Sequence, residues 1–399
     1  MSLLVTVLAV LPLFVDAAVD LTSPLVFDPI FYVNTNADLH HLGINTEAAA
    51  KQHWLSKGIS EGRQGCGSFH SRQYLKRYSD LSKAFGTDYQ QAVVHYLNHQ
   101  SEKRVGYVEG GYSGRWTISN HDHDLFISAS GRMGGAIDSL VWDNKEFINA
   151  WDHGRELQMA TNTHPYGECF NPTEAGGRDD GIGASTKSKI IDISAHGSTL
   201  KTTNHPAFWL RHGDHEAPGS KNRVCSGGAP ARNTVDTYDY DFSKNVTIGC
   251  AGMSHCIKFE SMFTIAGQWP AGVTSHNFEA PTGYMTKDFR VLKSFNLGTG
   301  RIQPYASSQP VVLATSDLKH AMGAYAPAGQ DTDQPHYYSG KLFSSAFPSG
   351  TGKWGSVFRK NAFPHGSSHK LFYVTYICVG SLDQVSECLR KVHATYPKV

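Results

Sequence analysis

From Trp116 onward, apolar and polar residues alternate in short runs. Residues 116–119, 125–128 and 137–142 each read as a strand, and Asp143-Asn144-Lys145 is the turn from the third into residues 146–148. Residues 189–194, 256–265, 289–295, 311–314, 357–359 and 371–379 continue the pattern, with turn residues between them. Many short strands and almost no helix predict a mainly β chain, a large antiparallel β-sandwich or barrel. The period changes at the end. Ser381-Leu382-Asp383-Gln384 is a capping box, and Leu382, Val385, Leu389 and Val392 follow at helical spacing. One amphipathic helix should therefore close the chain and lie on the sandwich.

The N-terminal part is patterned differently. Phe27-Asp28-Pro29-Ile30-Phe31-Tyr32, Asp38-Leu39 and His53-Trp54-Leu55 return 42 positions later as a Phe69–Leu75 block, Asp80-Leu81 and His95-Tyr96-Leu97. A closing Glu61-Gly62-Arg63 matches Glu102-Lys103-Arg104 with a slip of one. Each copy reads as helical, with Asp38 and Asp80 near the end of a short first helix. Thr46 caps a second that Gly58 can end. One copy is too small to bury its own aromatics, so the copies should pack on each other through Tyr32, Trp54, Tyr74, Tyr78 and Tyr96. The other reading of these rings is an exposed sugar platform. The pattern resembles short tandem repeats of secreted and surface proteins, which carry no single activity. The expected division is a repeat domain over 25–105, a Gly/Tyr-rich linker over 106–114 and a β-sandwich domain over 115–399.

Residues 1–17 are almost wholly apolar and end in small residues, with Val15 and Ala17 where a signal peptidase reads. A signal peptide is expected, and after its removal no membrane association. Seven cysteines suit an oxidising compartment. Neighbouring pairs are Cys250 with Cys256 and Cys378 with Cys388; Cys169 and Cys225 could form a longer bridge. Cys66 is then left free, or bonded to a second chain as a disulfide-linked oligomer. Asn245-Val246-Thr247 is a glycosylation sequon. Lys plus Arg number 36 against 35 for Asp plus Glu, so there is no basic excess to recruit nucleic acid.

Residues 134–140, 142–149 and 152–158 comprise a glycine-led strand, a hairpin and a Gly-Arg turn. Their layout resembles the opening of a galactose-mutarotase-like β-supersandwich, over roughly residues 116–392. That family includes sugar epimerases, polysaccharide lyases, domains of glycoside hydrolases and non-catalytic members. The resemblance implies a carbohydrate ligand and leaves the reaction open.

The densest polar stretch is 152–180, on loops rich in Gly and Pro. His153, Arg155, Tyr166 and Glu168 are the candidate catalytic groups. A mutarotase needs an acid and a base; a lyase needs Tyr or His as base, and Arg or Asn to neutralise a uronate carboxylate. Asn171 and Glu174 are candidate ligand-binding residues. The plainer reading is that Arg155 pairs with a carboxylate while Glu168 or Asn171 ties down loop backbone. A second cluster, His205, Trp209 and His212, suits a sugar subsite in which the indole stacks on a pyranose face; its plainer reading is a loop with one core Trp.

Asn120–Asp124 and His212–His215 supply metal-ligand types, but two same-side groups do not complete a site. No resident metal or cofactor is expected; the alternatives are a transition metal at those His/Asp segments and calcium at Asp179-Asp180 with loop carbonyls. No phosphate loop, nucleophile elbow or dinucleotide fingerprint is present, and Leu297-Gly298-Thr299-Gly300 reads as a turn. The sequence therefore predicts a secreted carbohydrate-recognising protein. The alternatives are a polysaccharide lyase or epimerase on the same face, and an adhesive matrix component assembled through Cys66.

Overall fold

The computed structural model describes residues 19–397 except 37, 103, 107–109, 113, 216–229, 268, 328–334, 340–350 and 362. The signal-peptide expectation and Cys225 fall outside the described residues, as does much of the expected linker. No helix among the described residues is long and apolar enough to cross a membrane.

Two antiparallel sheets form the body. The first, with eleven described strands, runs Gly110–Tyr112, Arg115–Ser119, Leu125–Ser130, Ile137–Trp142, Leu157–His164, Ser275–Met285, Gly352–Asn361 and His336–Ser339 in hydrogen-bonded order, with short strands off this path. The second, with nine, runs Arg301–Pro304, Phe289–Asn296, Val311–Thr315, Ala321–Tyr325, Ser368–Gly380, Met253–Ala266, Asp241–Cys250, Thr199–His205 and Lys189–His196. Alternation builds the core between them. Phe242, Val246 and Ile248 point inward from one strand and meet Phe263, Phe278, Leu140 and Met159 in a single buried cluster. Lys244 shares that inward face. Its ammonium meets the fully buried Glu174 carboxylate, Gly135 O at 2.6 Å and the Thr202 hydroxyl at 2.7 Å. A charge this deep is tolerated because every donor has an acceptor.

The last helix spans Leu382–Thr395, and Ser381 and Gln384 form the expected capping box. Val385, Cys388, Leu389 and Val392 are buried on the outer face of the second sheet. Gly323 permits the close approach: a Cβ there would lie 2.7 Å from Val385 and 2.8 Å from Leu389. Disulfides join Cys250 to Cys256 and Cys378 to Cys388. Cys169 is also disulfide-bonded.

The N-terminal copies hold three short helices each, not two. They are Pro29–Thr35, Asp38–His41 and Glu47–His53, then Ser71–Arg77, Ser79–Phe85 and Tyr89–Asn98. Asp38 and Asp80 sit in the first turn of each middle helix, where the helix dipole favours an acid, rather than at the end of the first. Equivalent contacts recur: Tyr32 OH lies 2.8 Å from His53 Nδ1, and Tyr74 OH lies 3.0 Å from His95 Nδ1. Arg63 grips Asp38 through both carboxylate oxygens, and Arg104 grips Asp80 likewise. Tyr32, Trp54 and Tyr74 are buried, with Tyr78 and Tyr96 packed beside them, so these rings are core rather than platform. Trp151 of the sandwich completes this cluster, and Arg115 places its guanidinium 4.6 Å from the Phe31 ring centroid.

Cys66 is buried in the same cluster, its Sγ 3.3 Å from both Leu25 O and Ser68 Oγ. A second chain cannot reach that sulfur without opening the repeats. The expected covalent oligomer through Cys66 therefore lacks an accessible thiol.

Candidate functional site

Three neighbouring strands of the first sheet, Leu157–His164, Ser275–Met285 and Gly352–Asn361, turn one face to the core and the other outward. Their outward residues line a polar cleft of about 520 Å³, within the range of small-ligand sites. Asn162 and Asn277 are register partners and bond side chain to side chain at 2.9 Å; Arg359 Nε donates to Asn277 Oδ1 at 2.8 Å. Ala160 stands opposite Glu279 and leaves room above it. Tyr284 is the register partner of Lys353.

A bulge makes this face continuous. The register shifts between Glu279 and Thr282, at Ala280-Pro281. Without it, strict alternation would send Thr282 and Tyr284 to the face opposite Asn277 and Glu279. With the extra residue, all four line the cleft.

The electrostatic centre is a carboxylate, an ammonium and a phenol. Lys353 Nζ lies 3.3 Å from Glu279 Oε2 and 5.1 Å from the Tyr284 ring centroid. Burial works against the Lys353 charge, but Glu279, Tyr284 and Glu168 outweigh it and hold the ammonium protonated. Burial pushes the Tyr284 phenol up to about 12, against the pull of Lys353. At neutral pH the set is therefore a neutral proton donor beside a cation.

Three lining residues carry buried oxygens with no hydrogen-bond partner among the described residues: Glu279 Oε2, Asn171 Oδ1 and Thr163 Oγ1. Lys353 stands near the first of these without donating an aligned hydrogen bond to it. Buried acceptors without donors are rare and call for an explanation; a ligand rich in hydroxyl groups supplies one.

The sequence-predicted residues divide between cleft and scaffold. Glu168 and Asn171 line the cleft from a short 3₁₀ turn, with Asn171 Nδ2 donating to Glu168 Oε2 at 2.9 Å. Trp209 forms another wall, seated on Gly154, where a Cβ would fall 2.6 Å from the indole. Tyr166 stands outside the lining: its hydroxyl donates to Ala271 O and Arg232 covers its ring at 5.0 Å.

His153 does not reach the cleft. It is fully buried, with Nδ1 2.9 Å from Gly181 O and Nε2 3.0 Å from Arg132 O. Burial and then Arg132 depress its pKa. Arg155 pairs with Asp152 at 3.2 Å, and Glu174 is the buried partner of Lys244. His205 lies 3.2 Å from Asp241, and His212 Nδ1 lies 2.7 Å from Asn233 O, both away from the cleft. These groups hold the scaffold. Glu279, Tyr284, Lys353, Asn162 and Asn277 were not read as functional from sequence. The one available signal was the alternation of Asn277 and Glu279 with His276 and Phe278.

The calcium expectation meets occupied carboxylates. Asp180 Oδ2 accepts from Gly177 N at 2.8 Å and Lys187 N at 3.1 Å, and Asp179 pairs with Arg211. Residues 121–123 form a turn rather than a strand. Asn245 lies inside a strand paired on both sides, and its Nδ2 donates to Glu260 Oε2 at 2.7 Å. A glycan acceptor is normally on an open loop, so this placement speaks against glycosylation there.

No family model matches the chain, and no curated protein matches it. Among solved structures, the heparan sulfate lyase of Pedobacter heparinus is 9% identical with a TM-score of 0.41, over 84% of this chain and 46% of that one. An α-N-acetylgalactosaminidase of Bifidobacterium bifidum is 12% identical with a TM-score of 0.34, over 67% and 36%. A 4-α-glucanotransferase of Thermococcus litoralis is 9% identical with a TM-score of 0.32, over 91% and 57%. The chain spans about half the length of the lyase it matches.

Proposed function

We propose that the chain is a secreted carbohydrate-recognising protein that takes a sugar or polysaccharide in the cleft on the outer face of its first sheet. One observation carries this reading. Glu279 Oε2, beside the Lys353 ammonium but without an aligned hydrogen bond, and Asn171 Oδ1, a buried acceptor without a donor, belong to residues that line one cleft walled by Trp209. Sugar hydroxyls donate to such oxygens, and an indole offers its face to the C–H side of a pyranose. The side-chain amides of Asn162, Asn277 and Gln158 both donate and accept, which suits hydroxyls of unknown orientation. The disulfides support export, since such bonds persist in oxidising compartments.

A second reading, a polysaccharide lyase or epimerase, is favoured by the contact of Glu279, Lys353 and Tyr284. In an elimination, a base takes the proton beside a uronate carboxylate and an acid protonates the departing glycosidic oxygen. Tyr284, neutral at pH 7, is in the form that donates. Asn and Lys side chains are suited to the uronate carboxylate.

A glycan array with the native protein and with Trp209→Ala and Glu279→Gln tests the first reading. Binding that both changes weaken supports it; no binding to any glycan overturns it. Incubation with uronate-containing polysaccharides, followed at the absorbance of an unsaturated product, separates the two. Product lost in Tyr284→Phe would establish turnover; binding without product from any polymer would leave recognition alone.

A further inference from the structure

We infer that the second N-terminal copy holds a divalent transition-metal ion of the zinc or copper type through His95, His99 and Glu102. The site is independent of the cleft. His95 lies on the helix Tyr89–Asn98, His99 caps its end, and Glu102 closes the 3₁₀ turn Gln100–Glu102 that follows. Residues four apart on a helix share a face, so the imidazoles stack with centroids 4.1 Å apart and planes at 12°. One ligand atom from each of the three residues falls within 4.8 Å of the others. A tetrahedral ion bound at about 2.0–2.1 Å sets its donors roughly 3.4 Å apart, so small side-chain rotations close the site.

Hydrogen bonds already orient both rings for ligation. Tyr74 OH lies 3.0 Å from His95 Nδ1, and His99 Nδ1 lies 2.9 Å from His95 O. Engaging Nδ1 leaves Nε2 for metal, the usual arrangement around a ligating histidine. Arg104 pairs with Glu102 Oε2, which leaves Oε1 for the ion, and Arg104 is itself held by Asp80. His99 and Glu102 are exposed, so water can complete the coordination. The two imidazole donors favour zinc or copper over calcium or magnesium, and the carboxylate is compatible with either class.

The first copy serves as an internal comparison. At the repeat displacement, His53 stands for His95 and keeps its tyrosine contact, Tyr32 OH lying 2.8 Å from Nδ1. Lys57 stands for His99. The fold of the repeat thus needs the Tyr–His contact but not the second imidazole. His99 adds a ligand where the first copy has a cation that would repel one.

Isothermal titration of the untagged chain with Zn²⁺ alone and with Cu²⁺ alone tests the assignment. One ion should bind per chain. His99→Lys, which installs the residue of the first copy, should weaken binding roughly tenfold or more; Glu102→Gln should weaken it less. The Cu²⁺ resonance spectrum should show nitrogen coupling that His99→Lys removes. Because His99 is exposed, the metal-free melting temperature of that variant should match the native one. Absence of binding to either ion, or binding unchanged in His99→Lys, overturns the proposal.

Discussion

Lys353 Nζ stands 3.3 Å from Glu279 Oε2, although the two side chains come from distant parts of the chain and meet across neighbouring strands. Each is less than one-fifth exposed, so the pair is screened little by solvent. Lys353→Met leaves the Glu279 carboxylate without its cation and should cost about 1–3 kcal/mol of stability, read from urea unfolding. The same change should weaken sugar binding. A variant as stable as the native chain would show that the pair contributes nothing to folding.

Gly154 is part of the cleft through what it lacks. Any side chain there meets the Trp209 ring, so Gly154→Val should displace the indole while the sheets persist. Expected are an altered tryptophan emission, glycan binding reduced about tenfold, and a far-ultraviolet dichroism spectrum like the native one. Unchanged binding would remove Trp209 from the site.

Glu146 gives a pH dependence. Its carboxyl accepts from Leu140 N and Ile148 N, and burial, with Asp28 beside it, pushes it up to about 8. In the unfolded chain the group titrates near about 4.3. Below that value it is protonated in both states and its contribution is intact. As pH rises toward 8 the unfolded state releases the proton first, so stability falls through this window. Glu146→Gln keeps the acceptor oxygen and removes the titration. It should raise the melting temperature more at about pH 8 than at about pH 5; an equal gain at both would refute the assignment. Lys145 and Glu47 also face Asp28 and should shift the midpoint, not the sign.

Cys66 should resist chemistry in the folded protein. Burial pushes its thiol up to about 11, so little thiolate is present at neutral pH. Native protein should react slowly with iodoacetamide and denatured protein quickly. A non-reducing gel should show monomer, with no band lost in Cys66→Ser. Rapid labelling of the native chain would contradict the burial.

The parts readable from sequence are those in which local pattern and tertiary environment agree. Ser381 and Gln384 announce the last helix because capping is a contact between near neighbours. Ile137–Trp142 is legible because Ile137, Leu140, Val141 and Trp142 are β-branched, apolar or aromatic and a turn follows. The strand Ser275–Met285 was not, since Asn277, Glu279 and Thr282 interrupt any apolar run and the bulge breaks its alternation. The cleft was half legible for a related reason. A crowd of polar residues over 152–180 located Glu168 and Asn171, but density says nothing of direction. His153 and Glu174, from the same crowd, point inward and are consumed by Gly181, Arg132 and Lys244. Lys353 lies far along the chain and is joined to Tyr284 only by strand register.

Cys256 and Cys378 are register partners in the second sheet, so the bridge closing one hairpin and the bridge holding the last helix meet at one rung. Mechanically, this rung is an anchor. Tension on the C-terminus would strip the turn beyond Cys388 and then pass by a covalent path into the strand Ser368–Gly380. The apolar grip of Val385 would never bear the full load. Reduction would reverse the order of failure, and the helix would peel away before any strand was pulled.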